Sequence, residues 1–163
     1  MSKSNTFIGP AGFDADTRLD LVALLNQSLA DTLDLAYQTK QAHWNAKGPN
    51  FYSLHLLFDQ LHGELVTYVD EFAERAVTLG GQARGTIRAA TSATRLTEYP
   101  LEARASHIHL NALIDRFGDY NGRIHKASRE ATRLGDPDTA DLYASVSRAT
   151  EKALWLLTAH NEA

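Results

Sequence analysis

The sequence predicts an all-α protein built as a bundle of four long helices. Three features point there: apolar residues that recur every three or four positions, clusters of helix breakers between those runs, and one connection much longer than the others. The first run, from about Asp14, carries Val22, Leu25, Leu29, Leu33 and Ala36 on one side of a helix, with Asp14, Asp16 or Thr17 available to cap its start. Lys47-Gly48-Pro49-Asn50 ends it, with glycine as left-handed terminator and proline as breaker. A second helix is expected from about Phe51 to Leu79, with Leu54, Phe58, Leu61, Leu65, Phe72, Ala76 and Leu79 as its core stripe, closed by Gly80-Gly81.

Residues 82–100 form the long connection, within which a short helix from Thr86 to Ala93 is expected. A third long helix should run from about Leu101 to Leu134 with Leu110, Leu113, Ile114, Phe117 and Ile124 inward, broken by Gly135-Asp136-Pro137. The fourth should start near Asp138 and continue to the end with Leu142, Val146, Ala149, Ala153 and Leu156 inward. Three short loops suffice for a plain up-down bundle. One long crossover after the second helix is the pattern of a ferritin-like four-helix bundle. The expected organisation is a short flexible N-terminal arm, residues 1–13, followed by a single bundle domain over 14–163.

Composition narrows the function. The 163 residues suit one domain with a real core. No window approaches a membrane span, and the N-terminus lacks a signal-peptide pattern, so the cytoplasm is the default expectation. Zero cysteines exclude disulfides and thiolate metal sites, leaving histidine and carboxylate as the ligands for any metal. The net charge is −4, and Lys3 is the one lysine in the first thirteen residues. DNA affinity depends mainly on Lys and Arg neutralising phosphates, so this balance argues against tail-driven DNA binding.

The second helix carries the chemistry. On a wheel of 100° per residue with Leu54 at 0°, the core stripe lies between about −40° and +40°. His55, Asp59, Asp70 and Glu74 fall at about 100°, 140°, 160° and 200°. That shared face also holds Tyr52, Leu56, Gly63, Val66 and Val77, and a helix with two apolar faces has two packing partners. His55 and Glu74 are separated by roughly 28 Å along the axis, too far to reach one metal from one helix. Positions 55 and 74 share the midpoint 64.5 with positions 59 and 70. Two antiparallel copies about an axis there would set His55 and Asp59 of one chain against Asp70 and Glu74 of the other. Gly63 beside that axis would permit close approach, and two-fold dimers are the commonest protein symmetry. His43, folded back by the turn, would neighbour His55. Such a mixture of imidazoles and carboxylates suits iron, manganese or zinc.

Each of these residues also has an ordinary account alone: a helix-end histidine, an i,i+4 pair, solvated charge beside Arg75, and Trp44 as core. The shared face, coincident midpoints and apolar neighbours together favour the metal.

The segments "HWNAKGPNF", "LHLLFD" and "VDEFAERAVTLGG", with weaker likeness in "TEYPL" and "LWLL", resemble the Dps family of mini-ferritins. The His-x₁₁-His-x₃-Asp-x₁₀-Asp-x₃-Glu spacing is highly specific, and the likeness extends from about residue 14 through nearly the whole chain. The resemblance implies a hollow homododecamer of 23 symmetry with ferroxidase centres at two-fold interfaces. There Fe²⁺ is oxidised, preferentially by hydrogen peroxide, and stored as ferric mineral, which protects against oxidative damage. Carried over by position, His43, His55 and Asp59 of one subunit and Asp70 and Glu74 of its partner would be both metal ligands and catalytic residues. Trp44 would stand beside them to intercept oxidising equivalents. Zinc could occupy the same site in the protein as isolated. The absence of Glu-x-x-His again favours an inter-subunit site over one inside a bundle.

The chain departs from DNA-binding members in lacking a lysine-rich arm; Arg84, Arg88 and Arg95 make the connection only mildly basic. The competing reading is a structural nucleoid protein whose metal binding is secondary, and it alone would place the chain on the nucleoid. His62, His107, His109, His125 and His160 have no assigned role, and Asp115, Asp119 and Glu130 are candidates for pores or mineral nucleation.

Overall fold

A computed structural model describes residues 12–161. Most of the expected arm, including Lys3, and the last two residues therefore lie outside the described part. The order is α1 (Ala15–Asn45), α2 (Phe51–Thr78), α3 (Ile87–Ala93), α4 (Ser106–Arg133) and α5 (Pro137–Asn161). The helices α1 and α2 form one antiparallel hairpin, α4 and α5 the other, and the short α3 packs on α1. This is the four-helix bundle with a long crossover. No described helix is long and apolar enough to cross a membrane.

Local chemistry explains the boundaries. The Asp14 carboxylate accepts the Thr17 amide at 2.7 Å and so caps α1. Gly48 turns the chain at φ +105°, a conformation that side chains rarely adopt, and Asn50 follows at φ +64°. At the far end of α2 the Gly80 and Gly81 amides return to Val77 and Ala76 carbonyls. Thr86 caps α3 by accepting the Ala89 amide. Pro137 sits at the first position of α5, where its missing N–H costs nothing.

All seven residues of the expected α2 stripe are buried, including Phe58 and Phe72 at 0% exposure. Elsewhere the structure moves the expectation. Instead of beginning at Leu101, α4 begins at Ser106. The crossover is tied down just before it: the Ser106 amide and hydroxyl both donate to the Lys47 carbonyl, at 3.1 and 2.7 Å. In α5 the buried stripe is Thr139, Tyr143, Val146, Thr150, Ala153 and Leu157, while Leu142, Ala149 and Leu156 are only partly buried. In α1, Leu21 and Leu35 are buried where Val22 and Leu33 were expected.

The reason is a polar layer inside the bundle. The Tyr120 hydroxyl donates to Thr32 Oγ1 at 2.7 Å, since Thr32 itself donates to the Ser28 carbonyl. Tyr143 donates to the Leu24 carbonyl and receives the Ser28 hydroxyl at 2.9 Å. With partners for every hydroxyl, these groups take core positions that an apolar pattern assigns to aliphatics.

One close approach gives a prediction. A Cβ on Gly81 would lie 2.3 Å from Val22 Cγ1. Valine is stiff at χ1 and has no spare length to retreat. Gly81→Ala should therefore destabilise the fold by about 1–3 kcal/mol. In a urea-denaturation double-mutant cycle, Val22→Ala should restore part of that loss.

Candidate metal centre

The end of α1 and the start of α2 are joined by two imidazoles in a reciprocal arrangement. His43 Nδ1 donates to the His55 carbonyl at 2.8 Å, and His55 Nδ1 donates to the His43 carbonyl at 2.9 Å. The rings stack with centroids 3.7 Å apart, 20° from parallel. A carbonyl oxygen only accepts, so each Nδ1 must carry its proton, and in the neutral ring each Nε2 keeps a free lone pair. Metal-ligating histidines characteristically donate the other ring nitrogen to a carbonyl or carboxylate. His43 is buried, and Phe51 flanks the His55 ring.

One turn along, Asp59 lies with Oδ1 4.0 Å from His43 Nδ1 and forms an ion pair with Lys40. The carboxyl is held below its ordinary value, first by the Lys40 hydrogen bond and further by the Lys40 charge, against a smaller upward push from desolvation. Its side chain is 53% exposed, open to a second macromolecule. Lys40 was not singled out in the sequence. Its place three residues before His43, on the same face of α1, was the signal available.

The structure brings His43 and His55 together, sets Asp59 at 4.0 Å from His43, and leaves Asp70 and Glu74 exposed towards the other end of α2. Among the described residues no set of three or more His, Asp or Glu side chains is close enough to hold a metal within one chain. The bundle interior offers hydroxyls, and the buried carboxylates Asp31 and Asp136 are taken by the Arg95 and Arg75 guanidiniums. Meanwhile Tyr52, Leu56 and Val66, on the ligand-bearing face of α2, are 70%, 50% and 46% exposed. Gly63 has open space beside it. Trp44, which follows His43 in the chain, is 60% exposed, not core.

The unassigned histidines separate. His62 Nδ1 donates to the Ala36 carbonyl, His109 pairs with the Tyr99 hydroxyl, His125 with Glu151, and His160 with the carbonyl of Leu156 on its own helix. Asp119 and Glu130 are engaged by Arg123 and Arg133. Asp115 is exposed.

Known proteins agree with this architecture. A family model described as ferritin-like domain matches residues 22–163. The DNA protection during starvation protein of Agrobacterium fabrum is 44% identical over 146 residues, covering 90% of either chain. A protein of the same name from Mycolicibacterium smegmatis is 34% identical over 145 residues, covering 88% of this chain and 78% of its own. Among solved structures, a Mycobacterium smegmatis Dps superposes with a TM-score of 0.90 at 30% identity, over 95% of this chain and 93% of that one. A Vibrio cholerae Dps protein, described as a member of a broad superfamily of ferritin-like diiron-carboxylate proteins, superposes at 0.87 with 27% identity, over 96% and 98%. Fold and family model together define a ferritin-like protein. Within that class, the chain belongs to the Dps family.

Proposed function

We propose that the protein is a ferroxidase and iron store whose centres form between subunits. In this reading His43, His55 and Asp59 of one chain and Asp70 and Glu74 of a second, antiparallel copy bind Fe²⁺ as substrate. Each Fe²⁺ gives up one electron, and two such electrons cleave the O–O bond of one hydrogen peroxide to the level of water. Fe³⁺ then passes to a mineral inside a hollow dodecamer. Removing Fe²⁺ and peroxide together suppresses hydroxyl-radical formation.

The observation that carries the reading is the reciprocal hydrogen bonding of His43 and His55, which holds both Nε2 lone pairs free and fixed. The exposed apolar face around Gly63 supports a second copy there. Carboxylates supply the hard ligands that stabilise Fe³⁺ after electron loss, and the imidazoles suit Fe²⁺ or zinc beforehand. In this reading Trp44, exposed and following His43 in the chain, surrenders an electron when only one Fe²⁺ is bound. The DNA-binding alternative is opposed by the net charge of −4 and by the engagement of Arg95 with Asp31.

The decisive experiment is a crystal soaked in Fe²⁺ with anomalous data. Iron between His55 of one chain and Glu74 of another is the expected result. Iron held wholly within one bundle would overturn it.

Lys40 competes with the metal for Asp59. An exposed ion pair contributes about 0.2–1 kcal/mol, so Lys40→Met should tighten Co²⁺ binding by up to about five-fold. Isothermal titration of the two proteins measures this directly.

A further inference from the structure

Three rungs cross the groove between α1 and α2: His43 with His55, Lys40 with Asp59, and Ala36 with His62. The third repeats the chemistry of the first. His62 Nδ1 donates to the Ala36 carbonyl at 2.9 Å, so its neutral ring also keeps Nε2 as a free lone pair. The ring is half-buried, and the Tyr37 ring meets it edge-on at 6.1 Å, which restricts its rotation.

Asp59 lies three residues before His62. Residues at i and i+3 on a helix are neighbours, about 5–6 Å apart at Cβ. A carboxylate and a histidine at this spacing are the pair with which di-iron bundles hold their metals, there as Glu-x-x-His. Here the pair is Asp-x-x-His, and Lys40 engages only Oδ1 of the aspartate. No other histidine of the described residues combines these features. His109 and His125 spend a ring nitrogen on a side chain, and His160 bonds back to its own helix.

We propose that Asp59 and His62 form a further binding site for a divalent cation, adjoining the ferroxidase centre and one turn nearer the two-fold axis. His62 Nε2 and Asp59 Oδ2 are its protein ligands, with water completing the coordination. Its occupant in use is incoming Fe²⁺, held before transfer to the imidazole pair. The inference rests on the proposed centre, because Asp59 serves both.

The test titrates Co²⁺ into the assembled protein and follows binding by equilibrium dialysis. His62→Asn is the informative variant, since its amide nitrogen replaces Nδ1 as donor to Ala36 while the Nε2 ligand disappears. Wild type should bind in two phases, and His62→Asn should lose the weaker one while keeping the tighter. A single phase in wild type, or both phases in His62→Asn, would overturn the site without touching the imidazole centre. The centre fails separately if His43→Ala with His55→Ala leaves the tighter phase intact. Should His62→Asn not assemble, Co²⁺-soaked wild-type crystals decide. An anomalous peak at bonding distance from His62 Nε2 supports the site, and none there refutes it.

Discussion

Replacing both His43 and His55 by alanine should slow peroxide-driven Fe²⁺ oxidation by at least about 100-fold, because altering mere outer partners of metal ligands costs 10–100-fold. The double variant removes both imidazoles and also the two bonds that tie the end of α1 to the start of α2. The carbonyl of His43 lies in the last turn of α1, where main-chain acceptors lack helical partners, so some local fraying is expected as well. The two effects separate by experiment. His43→Asn with His55→Asn keeps an amide donor near each Nδ1 position and deletes each Nε2 ligand. It should lose oxidation as fully as the alanine pair while melting closer to wild type. Stopped-flow absorbance at the ferric band, beside thermal unfolding by circular dichroism, gives both quantities. Unchanged oxidation in either variant would refute the assignment.

Asp136 should be the most costly single carboxylate to remove. It is 1% exposed, and both its oxygens accept from one Arg75 nitrogen, at 2.8 and 2.9 Å. It also accepts the Thr139 amide at 3.1 Å and the Thr139 hydroxyl, which caps the start of α5. Arg75 Nε reaches Thr139 Oγ1 at 3.0 Å, so one guanidinium fastens the end of α2 to the start of α5. Asp136→Ala leaves the half-buried guanidinium only the exposed Asp138, 3.8 Å away, as counter-charge and leaves α5 without its cap. The expected loss is about 3–5 kcal/mol, typical of breaking one side of a buried pair. Burial pushes the Asp136 carboxyl upward, but the hydrogen bonds from Thr139 and Arg75 outweigh it and hold the group below its ordinary 3.8. A carboxyl depressed on folding stabilises the native state above its unfolded value. Its contribution fades as pH falls through 3.8 and is gone below the lower folded value. Urea titrations of both proteins should therefore differ fully at neutral pH and converge in acid. A gap that persists below that window would contradict the ion-pair account.

Much of this was legible in sequence. The α2 stripe was, because Leu54, Phe58, Leu61, Leu65 and Phe72 are apolar and stand on one face with no polar exceptions. The stripes of α1 and α5 were less so, because Ser28, Thr32, Tyr143 and Thr150 are buried through bonded hydroxyls that a hydropathy pattern reads as surface. The start of α4 was misplaced because its anchor, the Lys47 carbonyl, is a main-chain atom about sixty positions away. For the candidate centre, the turn at 47–50 brought His43 to His55, and the rise along α2 separated Asp70 and Glu74 from them. Which ring nitrogen carries the proton depends on carbonyls across the groove, and Lys40 on Asp59 depends on the register of two helices. Neither leaves a mark in residue spacing along one helix.

The cross-groove rungs make the turn at 46–50 a gauge of length. In most helical hairpins such a loop tolerates an extra residue, since helices repack over a forgiving apolar seam. Here one inserted residue would rotate α2 by about 100° relative to its rungs. His55, Lys40 with Asp59, and His62 would all miss their partners at once. Phe58 and Phe72, carried on the same helix, would turn out of the core with them. Chain length across this bend thus sets two things with one register, the seating of the apolar stripe and the meeting of the rungs.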